Sequence, residues 1–257
     1  MLSWCGCAVP LAFLISWQWF FVGSLDVIKG FSPIILIIMG GFLCGLSIDF
    51  LKPNKLLKTS IAASYIALSV CFLLYYPLVL NSKLIQTNGT LIILYLALGH
   101  FMIFRLDALK LESLTVIIIS LVLLIYFGVL GSILNLIEIP VMAYYLASAV
   151  AGYLVISWLF NIPMGNVFSI GCGGAVLAIM LNIASETIMK NQFFTQPIIG
   201  VLVVLLVLFS NGTAERLSAH RHLSEAVFYP LILFFISLLP ILIGLFISFL
   251  CIKLVLV

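Results

Sequence analysis

Residues 226–251 read AVFYPLILFFISLLPILIGLFISFLC, without one charged side chain. A helix that crosses the hydrocarbon core of a bilayer needs roughly 20 mostly apolar residues. A strand of a membrane barrel would instead alternate apolar with polar positions, and this run does not. In lipid the backbone must satisfy its own hydrogen bonds, so a continuous apolar run of this length predicts a helix. Pro230 and Pro240 each free a carbonyl, which predicts bends that neighbouring helices accommodate. Comparable runs recur along the chain at 4–24, 33–51, 59–80, 90–106, 113–133, 139–160, 166–188 and 197–211. The expected fold is all-α: a polytopic transmembrane helical bundle of about nine spans, with residues 1–257 as a single integral membrane domain.

Composition agrees. The chain is 65% hydrophobic and only 7% charged, against about a quarter charged in soluble domains. The net charge of +3 is spread thinly, which predicts no nucleic-acid face. The first run has no basic residue before it and carries Trp4, Trp17 and Trp19. It reads as a retained span, not a cleaved signal. Cys5, Cys7, Cys44, Cys71, Cys172 and Cys251 are scattered through apolar runs and read as small lipid-compatible side chains.

Lys and Arg in the loops predict orientation. Alternate loops carry Lys52, Lys55, Lys58, Arg105, Lys110, Arg216 and Arg221; the opposite loops carry Lys29, Lys83 and Lys190, with Lys253 near the C-terminus on that side. The excess predicts a cytoplasmic N-terminus, in the cell (inner) membrane, and a C-terminus across it.

Between the last two runs, residues 211–225 read NGTAERLSAHRHLSE and hold two of the three histidines. This orientation makes the stretch a cytoplasmic loop. Asn211-Gly212 is a turn signal, and Thr213 is expected to cap the helix that follows. Glu225 lies four residues after Arg221, a spacing that pairs charges on a short interfacial helix.

The candidate site collects the ionisable groups of that side. His100 lies inside the fourth run, and ionisable groups at membrane depth usually face a bundle interior or an aqueous cavity. It is the candidate catalytic group, together with Asp49; otherwise His100 is a neutral imidazole bonded to a neighbouring helix, and Asp49 an interfacial acid paired with Lys52 or solvated. Arg105, Arg216, His220 and His222 are the candidate substrate-binding residues, Arg105 suiting a phosphate or carboxylate head group or a helix-end anchor. Asp107 is two residues from Arg105 and need not pair with it. His220-Arg221-His222 does not read as a metal site, and no cofactor motif is present. Opposite, Asn182 is expected to bond between helices and Glu186 to sit at the interface near Lys190. Gly41-x-x-x-Gly45 and the small residues Gly171, Gly173, Gly174 and Ala175 predict close helix approach.

Three stretches carry a family likeness. LALGHFMIF (96–104) resembles the small-residue-His motif of the lysoplasmalogenase-like YhhN membrane family. IPVMAYYLAS (139–148) resembles its Pro-Val-x-x-Tyr span. GGAVLAIMLN (173–182), followed by FFTQP (193–197), resembles its Gly-Ala span and the Phe-x-x-Pro after it. The resemblance implies a hydrophobic multi-span protein, and some members hydrolyse the vinyl-ether bond of lysoplasmalogens. The chain departs from the pattern in its acids. LLYYPLVL (73–80) holds none where the family has Gly-Asp, and Leu181-Asn182 replaces its Ser-Asp. Ile103 replaces an aromatic residue, and 226–251 has no counterpart. No catalytic residue is therefore carried over. The functional expectation is a membrane-embedded enzyme or binder whose partner is a membrane lipid or lipid-linked substrate, held in a cytoplasmic-side polar pocket. A transporter, or a membrane subunit of one, is the alternative.

Overall fold

The computed structural model describes residues 6–18, 33–80, 85–109, 113–160, 162, 164–189, 195–219 and 225–255. Ten helices follow in order: α1 Ala8–Trp17, α2 Pro33–Leu51, α3 Lys55–Leu80, α4 Ile85–Ala108, α5 Ser113–Ile133, α6 Glu138–Phe160, α7 Asn166–Met189, α8 Thr195–Leu208, α9 Ser210–Ala219 and α10 Glu225–Val255. Among the described residues, seven helical segments are long and apolar enough to cross a membrane, with α8 and α9 counted as one segment. The all-α bundle expected from the apolar runs is the observed fold. Both prolines of the last run lie inside one continuous helix, α10.

α7 is the central post. Nearly its whole spanning stretch is buried, 94% against 28% for α10, and it touches α2, α3, α4, α5, α6 and α8. Its small residues explain this. Lipid tails are as apolar as leucine, so helices in a bilayer associate where small residues let backbones approach. The Gly41 Cα side of α2 lies so close to α7 that an added Cβ would come within 3.5 Å of the Gly174 backbone. At Gly45 the approach is tighter, with an added Cβ 2.5 Å from the Asn166 carbonyl and 2.6 Å from Val167 Cα. The ring of Tyr65 on α3 fills the space that Gly41 and Gly174 leave, and its hydroxyl donates to the Ile37 carbonyl at 2.9 Å. The expected glycine contacts are thus the α2–α7 seam.

The outer helices show the opposite logic. Leu239, Leu242 and Phe246 on α10 are more than half exposed, which water would penalise and lipid does not. α5 and α6 form an antiparallel hairpin through a tight turn in which Asn135 adopts φ 54°; Leu136 N–H closes it onto the Gly131 carbonyl at 3.0 Å.

Side-chain bonds between helices show which termini share an end. The last turn of α2 bonds to the start of α7, the start of α3 to the last turn of α4, and the start of α5 to the start of α10. We call this the near end; the α5–α6 turn and the C-terminal ends of α7 and α10 form the far end. Gly6 packs against Val167 and Phe168 at the near end.

Candidate functional site

Asp49 ends α2 as a cap for another helix. Its Oδ1 accepts from the Asn166 backbone N–H (3.0 Å) and from Asn166 Nδ2 (2.5 Å), and Oδ2 accepts from the Val167 N–H at 2.9 Å. The first N–H groups of a helix have no partner within it, and a carboxylate there also meets the positive end of the helix dipole. Gly45, one turn earlier, allows the approach. The expected pairing with Lys52 is replaced by this cap, because α7 brings two backbone donors within reach. Lys52 instead terminates α2 in the left-handed region, φ 45°, its N–H on the Ile48 carbonyl at 3.0 Å.

His100 is half-buried on α4. Its Nδ1 lies 2.7 Å from the Leu96 carbonyl one turn earlier. A carbonyl only accepts, so Nδ1 holds the proton, and Nε2 of the neutral ring is the acceptor. The neighbouring Gly99 faces inward against Ile66 and Leu177. The bond runs within α4 and not to a neighbouring helix.

Asp107 pairs with Lys58 of α3 through both oxygens, at 2.6 and 2.7 Å, with about a fifth of each side chain exposed. Arg105 takes no part in that pair, in line with its spacing. Its guanidinium carbon sits 5.8 Å from the centre of the Phe209 ring, a cation–π contact, and its Nε is sealed from solvent without a hydrogen bond. Phe209 also packs against Phe101, ring centres 5.7 Å apart.

The stretch around 211 departs from the expected loop. Asn211-Gly212 makes no turn, and Thr213 lies inside α9, not at its cap. The helical break falls at Phe209. Its cause is polar. Ser210 Oγ donates back to the Val207 carbonyl at 2.7 Å and lies 2.7 Å from Ser237 Oγ of α10. Asn211, 3% exposed, donates to Glu215 at 2.6 Å and accepts from the Tyr229 hydroxyl. Tyr229 in turn lies 3.1 Å from Thr115 Oγ1 of α5. A turn would break these bonds, and Gly212 has open space beside it, so the helix continues. Sequence reasoning missed Thr115, Ser210, Tyr229 and Ser237, because single hydroxyls in apolar runs produce no pattern. Arg216 is exposed on α9. His220, His222, Arg221 and Lys190 lie outside the described residues.

Two cavities flank this architecture. At the near end an apolar groove of about 280 Å³ is lined by Leu114 and Ile118 of α5, Leu154, Val155 and Trp158 of α6, and Pro230, Leu231 and Phe234 of α10. At the far end a polar cavity of about 260 Å³ lies between the α5–α6 turn and α7, with Asn135, Glu138, Asn182 and Glu186 in its wall. Asn182 and half-buried Glu186 thus face a cavity.

No family model, curated protein or solved structure matches the chain. The apolar helices define its class: an integral membrane protein built as an α-helical bundle.

Proposed function

We propose that the protein handles a lipid or lipid-linked substrate at the near end, as a membrane-embedded enzyme or binder. One observation carries the reading. The apolar groove and the polar network meet at consecutive residues: Leu114 and Pro230 line the groove, while their neighbours Thr115 and Tyr229 bond to each other and on to Asn211 and Glu215. An amphiphile needs this pairing, with a tail against hydrocarbon-like walls and a head beside hydrogen-bonding groups. In this reading His100 and Asp49 are the groups assigned to chemistry, Nε2 of His100 as proton acceptor. Arg105, Arg216, His220 and His222 are the groups assigned to the head group. The likeness of 96–104 and its companion stretches to the lysoplasmalogenase-like YhhN family agrees with a lipid-linked substrate.

Mass spectrometry of lipid retained by the purified protein tests this. One lipid class is expected above its bulk abundance. Val155→Trp, which fills the groove from its exposed edge, is expected to cut that retention roughly fivefold, the loss of about 1 kcal/mol of contact. A bulk-like lipid profile, unchanged by Val155→Trp, sinks the proposal. Transport is the second reading, favoured by the polar far-end cavity opposite the near-end network. Against it, Val176, Leu177, Ile179 and Leu181 of α7 are fully buried apolar residues on the line between the two ends. Solute uptake into proteoliposomes, with a bulk-like lipid profile, would select it.

We also assign the near end to the cytoplasm, from the excess of Lys and Arg there. Reporter fusions in the segment 220–224 are expected to give a cytoplasmic-type signal, and fusions after Val255 the opposite. An inverted pair of signals rejects the orientation.

A further inference from the structure

The far-end cavity of about 260 Å³ has an exposed rim and a half-buried floor. Asn135 in the α5–α6 turn and Glu138 in the first turn of α6 stand at the rim, and both are exposed. Asn182 and Glu186 form the floor, both half-buried on α7. Their spacing of four puts them on one face of the helix. Asn182 lies about 10 Å along α7 from Met189, below the end of the bundle. Among the described residues no group meets its carboxamide, although polar groups at such depth ordinarily find a partner. Glu186 is engaged within the chain, so the site rests on Asn182 and Glu138, with Glu186 adding charge.

Every polar side chain in the wall is a carboxylate or a carboxamide, and no lysine or arginine lines the cavity. The helix ends add to its negative character. α5 and α7 both finish here with their C-termini, the negative ends of their dipoles, and neither carries a basic residue in its last turn. α6 starts here with its positive end, which Glu138 in its first turn offsets. The cavity therefore favours a cation. It is too large for a bare ion, and the described residues hold no cluster of three or more carboxylates, histidines or cysteines placed for a metal. Buried Leu136 and Ile139 give it an apolar flank.

We propose that the far-end cavity binds a small primary amine in its ammonium form. An ammonium has three donors and no acceptor, which suits a wall of carboxylate and carboxamide oxygens. The oxygens of Asn182 and Glu186 receive it at the floor, and its alkyl stem runs past Leu136 and Ile139 toward Glu138 at the rim. The rim belongs to the turn between two spanning helices, with Asn135 and Glu138 exposed, so the amine enters from the aqueous phase. The site is independent of the lipid reading at the near end, and neither depends on the other.

The test is thermal melting of the purified full chain in lipid-free detergent, with diaminobutane as the probe and ionic strength held constant with sodium chloride. A ligand that binds only the folded chain raises Tm saturably, by a few degrees at about 10 mM if the amine binds at about 1 mM or tighter. Butanediol, of the same shape without the charge, is expected to give no rise. Asn182→Leu and Glu138→Gln are each expected to remove at least half of it. No rise with the diamine overturns the proposal, and so does an equal rise with butanediol. A rise kept in full by both variants overturns it too, because the amine then binds elsewhere. A larger rise with calcium chloride than with the diamine rejects it in favour of a metal site. Should Asn182→Leu fail to accumulate, Glu138→Gln, at the exposed rim, decides alone.

Discussion

Gly45→Ala is expected to destabilise the protein by about 3 kcal/mol or more, and Gly45→Val to prevent its assembly. The added Cβ meets backbone, the Asn166 carbonyl at 2.5 Å and Val167 Cα at 2.6 Å, so no side-chain rotation can relieve it. Ordinary overpacking costs about 1–3 kcal/mol, and a backbone clash at the α2–α7 seam sits at the upper end or beyond. The cost should be larger than at Gly171, where the obstacle is the Phe42 ring, which can turn aside. Gly152→Ala and Gly212→Ala are the controls. Both positions have nothing within 4 Å of the added atom and both are helical. Alanine is a better helix former by about 1 kcal/mol, so these variants should be neutral or slightly stabilised. Thermal melts of the four purified variants rank the effects. A Gly45→Ala melt equal to that of the controls would show that α2 and α7 are not in contact at this point.

Asp49→Ala is expected to cost about 2–4 kcal/mol. Three donors at the start of α7 lose a charged acceptor, and hydrogen bonds to charged groups contribute about 1.5–3 kcal/mol each in favourable settings. Asp49→Asn keeps one oxygen acceptor and should lose about half as much. The comparison separates two roles for one residue. A cap loses stability in the order Ala, then Asn, and any activity falls in step with folding. A catalytic carboxylate would instead lose activity in the Asn variant while the melt stays close to that of the parent.

The residues explain how far the sequence could be read. Apolar length is a local property, and lipid rewards it locally, so helix existence was legible from 33–51, 113–133 or 226–251 without knowing any neighbour. The glycine seam was legible for a related reason: only small residues let helices approach in lipid, and Gly41, Gly45 and Gly174 could hardly serve otherwise. The near-end grouping of Asp49, Arg105, Asp107 and Glu215 followed from alternating topology alone. The partners did not follow. Asp49 was read against Lys52, its neighbour in sequence, but its donors lie more than a hundred residues away on α7. Asn211-Gly212 was read as a turn because that dipeptide favours turns, yet α10 and α5 offered Tyr229 and Thr115, and satisfying a buried carboxamide outweighed local preference. Sequence by itself determined a membrane-spanning helical bundle, its glycine contacts and which groups share an end. Only the tertiary structure decided which polar atoms meet: in a low-dielectric interior an unpaired donor or acceptor is costly, and the partner that relieves the cost is set by which helix passes beside it.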